Sequence, residues 1–185
     1  GGRILVRSLQ PADRDEIAAG YEELSPASRR LRFFNAPDHL SERLLDYLTD
    51  VDGVNRVALA ARAIDEPGAP GVAVARYARD HSDPTTAEAA VTVLDSHRNR
   101  GIATILLTSL VDEAVANHIT TFTASVMWEN KVLLDSLRDH GAVIVADEPG
   151  VAAVNVELPR VAEEFEGSLL HQILHTVATR FGHRS

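Results

Sequence analysis

The chain has 185 residues, a formal net charge of −9 at pH 7 and no cysteine. This length suits one domain, and an apolar share of 45% is that of an ordinary globular protein. The acidic charge disfavours nucleic acid or an anionic membrane as a partner, and the lack of cysteine excludes disulfides and thiolate chemistry. Because no long apolar run or signal-like start is visible, the sequence predicts a cytoplasmic protein without a membrane partner.

Hydrophobic periodicity and turn residues predict alternating strands and helices over most of the chain. The predicted strands cover residues 3–9, 56–64, 72–77, 87–94, 120–126, 142–145 and 151–158. The predicted helices open at Pro11, Ser25-Pro26, Ser41, Gly101 and Asn130. This order predicts a mixed sheet with helices on its faces, which is an α/β or α+β domain.

Residues 91–107 join a predicted strand to a predicted helix through a polar turn. The helix opens at Gly101 and has no acidic residue in its first turn. A helix N-terminus presents unpaired N–H groups and the positive end of a dipole, so this junction suits a phosphate group. The spacing Arg98-x-x-Gly101-x-Ala103 differs from the two commonest nucleotide fingerprints. The alternative is an ordinary helix start beside solvated side chains of Arg98 and Arg100.

Two further groups near these elements are expected to be solvated. Arg29, Arg30 and Arg32 spread around the helix that follows Ser25, which is typical of a basic face in water. His97 directly precedes residues 98–104, the turn that suits a phosphate and is called the phosphate turn below. It is expected to be a loop histidine in water, with assistance to the phosphate as the alternative.

With this order of elements and this junction, the chain resembles the GNAT superfamily of acyl-CoA-dependent N-acetyltransferases. The superfamily signature, [QR]-x-x-G-x-[GA] after the fourth strand, is met by Arg98, Gly101 and Ala103. A second mark is an asparagine after the fifth strand followed eleven residues later by glycine, which Asn130 and Gly141 fit. The resemblance implies an α/β (α+β) fold with a mixed, mostly antiparallel central sheet and helices on both faces. The apolar stripe of the tail, which lies outside the resemblance, predicts an extra C-terminal helix.

The resemblance divides the chain into a GNAT N-acetyltransferase domain at residues 1–158 and a C-terminal helical extension at 159–185. The apolar stripe of the extension is expected to pack on the domain, with a partner or a second subunit as the alternative. His171 and His175 have the spacing of metal ligands on a helix, but no third ligand is evident. No metal is therefore expected.

A narrower similarity concerns two segments, Leu24-Ser-Pro-Ala-Ser-Arg-Arg-Leu-Arg-Phe-Phe34 and Ala87-Glu-Ala-Ala-Val-Thr-Val93. Both look like bacterial protein-lysine acetyltransferases of the Pat type, which acetylate acyl-CoA synthetases. The similarity implies acetyl-CoA as co-substrate and a protein lysine as acceptor. A small amine as acceptor, or a non-catalytic module that binds acyl-CoA, are the alternatives.

The resemblance also assigns roles in acetyl-CoA binding. The turn at residues 98–104 would hold the pyrophosphate through main-chain N–H groups, and backbone groups at residues 91–93 would hold the pantetheine arm. Asn130 would bind that arm by its amide or cap the following helix. The residues assigned to the coenzyme are Val91, Thr92, Val93, Arg98, Asn99, Arg100, Gly101, Ile102, Ala103, Thr104 and Asn130.

Glu88 is the candidate catalytic residue. It is the only carboxylate in the predicted strand 87–94, and partial burial would make it a better proton acceptor for an ammonium group. The resemblance places the Pat-type catalytic glutamate in this Ala-Glu pair, and the alternative is a strand-edge glutamate in water. Many family members carry a general-acid tyrosine seven residues after the asparagine. Leu137 stands there, so water or no acid is expected to serve the leaving thiolate.

Overall fold

The computed structural model describes residues 2–34, 36–139 and 142–158. The predicted Gly141 cap, the 159–185 extension and the pair His171 and His175 lie outside the described residues. Seven strands are found within them. They are β1 (Ile4–Ser8), β2 (Arg56–Ala63), β3 (Gly71–Arg79), β4 (Thr86–Val93), β5 (Thr121–Met127), β6 (Val143–Ala146) and β7 (Val151–Glu157).

Five α-helices connect these strands in the described part of the chain, and each was predicted. They are α1 (Arg14–Glu23), α2 (Pro26–Phe33), α3 (Glu42–Thr49), α4 (Ile102–Ala116) and α5 (Lys131–Asp139). Two starts have the expected chemistry, because the hydroxyls of Ser25 and Ser41 accept hydrogen bonds from the first-turn amides of Ser28 and Leu44. Pro11 opens a short 3₁₀ turn that leads into α1.

The strands form one sheet in the order β1-β2-β3-β4-β5-β7-β6. The only parallel neighbours among the described strands are β4 and β5, which α4 connects, and the remaining neighbours are antiparallel. The predicted mixed, mostly antiparallel sheet is therefore confirmed. The insertion of β7 between β5 and β6 was not predicted, because it depends on long-range pairing.

The two faces of the sheet carry separate apolar clusters. Side chains from β2, β3, β4, β5 and β7 pack with α4 and α5 on one face. On the other face, Ile17 of α1 packs on β2 and β3, and the leucines of α3 pack against α1. Helices thus cover both faces, as expected, and successive side chains of β4 point alternately to the α4 face and to the α1–α3 face.

Candidate active site

The strand β4 is paired on both sides for only part of its length. It pairs with β3 from Ala87 to Val93, but its parallel pairing with β5 is confined to Thr86, Ala87 and Glu88. From residue 89 onward the two parallel strands separate. Crevices at the carboxyl ends of parallel strands are where open sheets bind ligands.

The direction of the β4 backbone groups shows which of them face this opening. The amide of Leu94 donates to the carbonyl oxygen of Val72 (2.9 Å), and the carbonyl oxygen of Thr86 accepts from the amide of Asp80 (2.9 Å). Even-numbered residues of β4 are therefore bonded to β3, because such bonds alternate along an antiparallel pair. The main-chain N–H and C=O groups of residues 91 and 93 point into the opening instead.

This alternation separates the three β4 residues assigned to the coenzyme. Val91 and Val93 present main-chain groups to the opening, and their side chains pack with the α4 cluster. Thr92 differs, because its main chain lies opposite Val74 of β3 and its side chain lines a cleft on the α1–α3 face. The side chain of Thr92 thus lies on the α1–α3 face, and not on the α4 face with those of Val91 and Val93.

The N-terminus of α4 lies at the carboxyl end of β4 and carries free donors. Gly101 is the N-cap residue, with φ +76° and no side-chain cap, and the first turn contains no acidic residue. The first helical bond recorded at this end runs from the amide of Ile105 to the carbonyl of Gly101, so the amides of Ile102, Ala103 and Thr104 are available. A Cβ at Gly101 would meet nothing within 4 Å, so the position opens to a ligand.

Side chains of the turn form hydrogen bonds and an ion pair with neighbouring residues. Arg98 forms an ion pair with Asp95 (3.0 Å) and donates to the hydroxyl of Ser28 (2.9 Å), which connects the turn to α2. Arg100 donates to the main-chain oxygen of Ser96 (2.9 Å). The exposed Asn99 has a φ of 60°, a value asparagine tolerates better than most residues. Both arginines are exposed and keep unused N–H donors, so their guanidinium groups stand beside the free amides as donors available to an anion.

The prediction of a solvated His97 is wrong. Its side chain is 7% exposed, and its ring nitrogens lie 2.9 Å from Glu66 Oε1 and 2.9 Å from Ser96 Oγ. Since Glu66 lies in the turn between β2 and β3, this contact fixes the phosphate turn to the neighbouring hairpin.

Asn130 lies at the start of α5. Its carbonyl oxygen accepts the amide of Leu134 (3.1 Å), as an N-cap residue does. No hydrogen bond joins its half-buried side-chain amide to a described residue, so the amide is free for a ligand. Leu137, where many family members have tyrosine, is buried in the main cluster.

Glu88 is the last β4 residue that pairs with both neighbouring strands. Its side chain points to the α1–α3 face, as do those of Ala90 and Thr92. The expected partial burial is not found, because Glu88 is exposed. Two arginines, Arg32 and Arg76, are instead near enough to interact electrostatically with its carboxylate.

A cleft lies between β3, β4 and the helices α1–α3, on the same face of the sheet as the side chain of Glu88, which does not itself line the cleft. Its walls are mostly apolar, but Arg32 and Arg76 also line it, as do two carboxylates that already form ion pairs, Asp13 with Arg7 and Glu16 with Arg62. Arg32 is half-buried, so the prediction of a fully solvated basic face is wrong for this residue. The sequence signal that was missed is Arg76, a charged residue in the otherwise apolar run Val72–Tyr77.

No group of three metal-ligating residues is present in the described ranges. No helix described there is long and apolar enough to cross a membrane.

Comparison with known proteins identifies the family. Residues 21–141 match the family described as "Acetyltransferase (GNAT) family". The chain belongs to this family. The free N-terminus of α4 and the opening between β4 and β5 are accordingly features of an acetyltransferase domain.

The comparisons also confirm the narrower similarity. The chain is 31% identical to the acetyltransferase Pat of Mycolicibacterium smegmatis over 178 residues, which cover 94% of this chain and 51% of Pat. The chain thus spans about half the length of that curated relative. The GNAT domain of S. lividans PAT superposes with a TM-score of 0.74 at 30% identity, over 85% of this chain and 92% of that domain.

An acetyltransferase from Salmonella typhimurium, solved with acetyl-CoA, superposes with a TM-score of 0.63 at 17% identity, over 84% of this chain and 94% of that one. This second structure shares the fold.

Proposed function

We propose that the chain transfers an acetyl group from acetyl-CoA to the amine of a protein lysine, with Glu88 as general base. The observation that carries the proposal is the geometry of β4. One strand presents free main-chain groups to an opening at its carboxyl end, and the carboxylate of Glu88 stands where that opening begins.

The coenzyme is assigned to the opening because the free groups there match its chemistry. The amides of residues 102–104 suit a pyrophosphate, since a helix N-terminus favours anions. The pantetheine arm contains amides, which can pair with the main chain of Val91 and Val93 as an added strand would. The free side-chain amide of Asn130 supplies a further hydrogen-bonding group.

The acceptor is assigned to the α1–α3 face, where Glu88 and the cleft lie. Glu88 accepts a proton from the acceptor ammonium, and the free amine attacks the thioester carbonyl. A C–N bond forms and the C–S bond breaks, and the nitrogen gives up its surplus proton through water to the departing thiolate. Because Leu137 is buried and apolar, it cannot protonate the thiolate.

A protein lysine is favoured over a small amine because of the similarity to Pat along 94% of the chain. Hydrogen bonds connect the Pat-like segment that contains α2 to the turn after β4. The amide of Ser25 donates to Asp95, and Arg98, which pairs with Asp95, donates to the hydroxyl of Ser28. A direct connection between the acceptor side and the coenzyme side suits an enzyme that must align both substrates.

The test is incubation with acetyl-CoA and a panel of acyl-CoA synthetases, lysine peptides and small amines, read by mass spectrometry. We expect acetyl-lysine on at least one protein or peptide. Acetylation of small amines alone would contradict the lysine acceptor. Binding of acetyl-CoA without any transfer would indicate a non-catalytic module.

A further inference from the structure

Arg76 is a buried cation in the acceptor cleft. It lies on β3 opposite Ala90, two residue pairs away from Glu88, on the same face of the sheet. Its exposed fraction is only 5%, yet it lines the cleft. A charged side chain this deeply buried is normally matched by a partner of opposite charge.

The partners of Arg76 leave most of its hydrogen-bonding capacity unused. Its guanidinium lies 4.3 Å from the ring centre of Tyr47 and donates to the main-chain oxygen of Tyr47 (3.3 Å). A guanidinium carries five N–H donors. No carboxylate of the described residues lies within 4.0 Å of Arg76.

Arg32 enters the same cleft from α2. Its guanidinium lies 4.9 Å from the ring centre of Phe33, and it forms no hydrogen bond or ion pair with any residue that the structure describes. Burial and the neighbouring Arg76 lower the pKa of Arg32, and burial lowers the pKa of Arg76. Two neighbouring guanidinium groups, Arg76 buried and Arg32 half-buried, therefore have no carboxylate partner within ion-pair distance among the described residues.

Glu88 is not the ion-pair partner of these two arginines. Its carboxylate attracts both arginines, but it forms an ion pair with neither of them. As a general base it must also be free to take a proton from the acceptor. Exposed arginines of the chain do form ion pairs. Arg30 Nε lies 3.0 Å from Glu129 Oε1, and Arg14 Nη2 lies 2.7 Å from Glu42 Oε2.

We propose that Arg76 and Arg32 bind a carboxylate of the acceptor, supplied by an acidic side chain next to the lysine that Glu88 deprotonates. Two guanidinium groups that converge in a largely apolar cleft suit a carboxylate, which accepts several parallel N–H bonds. The net charge of −9 gives no general attraction for acidic segments, so this recognition is local. The inference rests on the proposed lysine acetylation and names its preferred substrate.

The test compares two short peptides that differ only in a glutamate or a glutamine beside the lysine. We expect the wild type to use the glutamate peptide with a kcat/KM about 10-fold to 100-fold higher. Arg76→Gln should remove this preference mainly through KM, and Arg32→Gln should reduce it. Arg43→Gln is the matched control, because Arg43 is an exposed arginine of α3.

Thermal unfolding of each variant, and its rate on the glutamine peptide, separate a binding role from a folding role. If Arg76→Gln does not fold, Arg32→Gln on the cleft rim decides the question. Equal use of both peptides by the wild type would overturn the inference and leave lysine acetylation intact. Acetylation of neither peptide, with free amino acids accepted, would overturn the lysine assignment itself.

Discussion

The turn after β4 and the cleft on the α1–α3 face of β4 offer different groups to their proposed ligands. At the carboxyl end, the side chains of the phosphate turn are already paired, as in Arg98 with Asp95 and His97 with Glu66, and main-chain amides remain free. In the proposed acceptor cleft, the main chain of β3 and β4 is paired, and the side chains of Arg76 and Arg32 form no ion pair with a described carboxylate. On the proposed assignment, coenzyme binding depends mainly on backbone conformation, and acceptor choice depends on side chains.

This difference predicts how the turn and the cleft respond to substitution. A side-chain change in the cleft should alter turnover or acceptor preference and leave coenzyme affinity unchanged. A change of backbone conformation at the turn should do the reverse.

Glu88→Gln removes the proposed base and should have the largest effect. We expect kcat to fall about 100-fold to 10,000-fold at neutral pH, because general-base catalysis contributes on this scale. The dissociation constant for acetyl-CoA, measured by calorimetry, should stay within a factor of two of the wild-type value.

Glu157→Gln is the control for this variant, because Glu157 is also an exposed glutamate on a strand. It should leave kcat unchanged. Wild-type turnover by Glu88→Gln would remove Glu88 from the mechanism.

Gly101→Ala should weaken coenzyme binding about 10-fold, since a residue with a side chain is strained at φ +76° and its Cβ projects where the phosphate approaches. Gly53→Ala is a matched control, because Gly53 has the same φ and the same open space, away from the turn. Both substitutions should lower the free energy of unfolding by a similar amount. A rise in the acetyl-CoA dissociation constant of similar size in both would contradict the phosphate site.

Asn130→Ala should raise the acetyl-CoA dissociation constant about 3-fold to 10-fold, the loss expected for one hydrogen bond. Stability should change little, because the side-chain amide makes no bond with the described residues. Unchanged affinity together with a marked drop in the melting temperature would indicate that the residue serves α5 alone.

Asp95→Asn tests the link between the turn and α2. Burial alone would raise the pKa of Asp95, but hydrogen bonds from Ser25 and Ser28 and the charge of Arg98 outweigh it and lower the pKa below 3.8. Because the folded-state pKa lies below the unfolded one, these contacts stabilise the fold above pH 3.8 and are lost at lower pH.

The expected loss for Asp95→Asn is about 1 kcal/mol at pH 7, with little change in acetyl-CoA affinity. Urea unfolding at several pH values measures it. The difference from the wild type should persist from pH 7 to about pH 4 and shrink below, whereas a gap that widens in acid would contradict this account.

The sequence predicted the features that depend on consecutive residues. The strand–turn–helix at residues 87–117, the caps at Ser25 and Ser41 and the glycine N-cap of α4 follow from local patterns. Comparison confirmed the family that those patterns indicated. These features can be predicted from the sequence because their backbone conformation and hydrogen bonds are determined by residues close together in the chain.

The sequence did not predict what depends on residues far apart in the chain. The convergence of Arg32 and Arg76 requires α2 to pack beside β3, and the burial of His97 requires the Glu66 turn to approach it. The alternation that separates Thr92 from Val91 and Val93 also follows from the pairing with β3. Periodicity within β4 shows two faces, but it does not show which edge is unpaired.

Amide hydrogen exchange along β4, with and without coenzyme A, tests the central claim most directly. The free main-chain groups of Val91 and Val93 are proposed to bind the pantetheine arm. We predict that coenzyme A slows exchange at these two amides and leaves those of Ala90 and Thr92, already bonded to β3, unchanged. Bound coenzyme with no added protection at Val91 and Val93 would contradict the account.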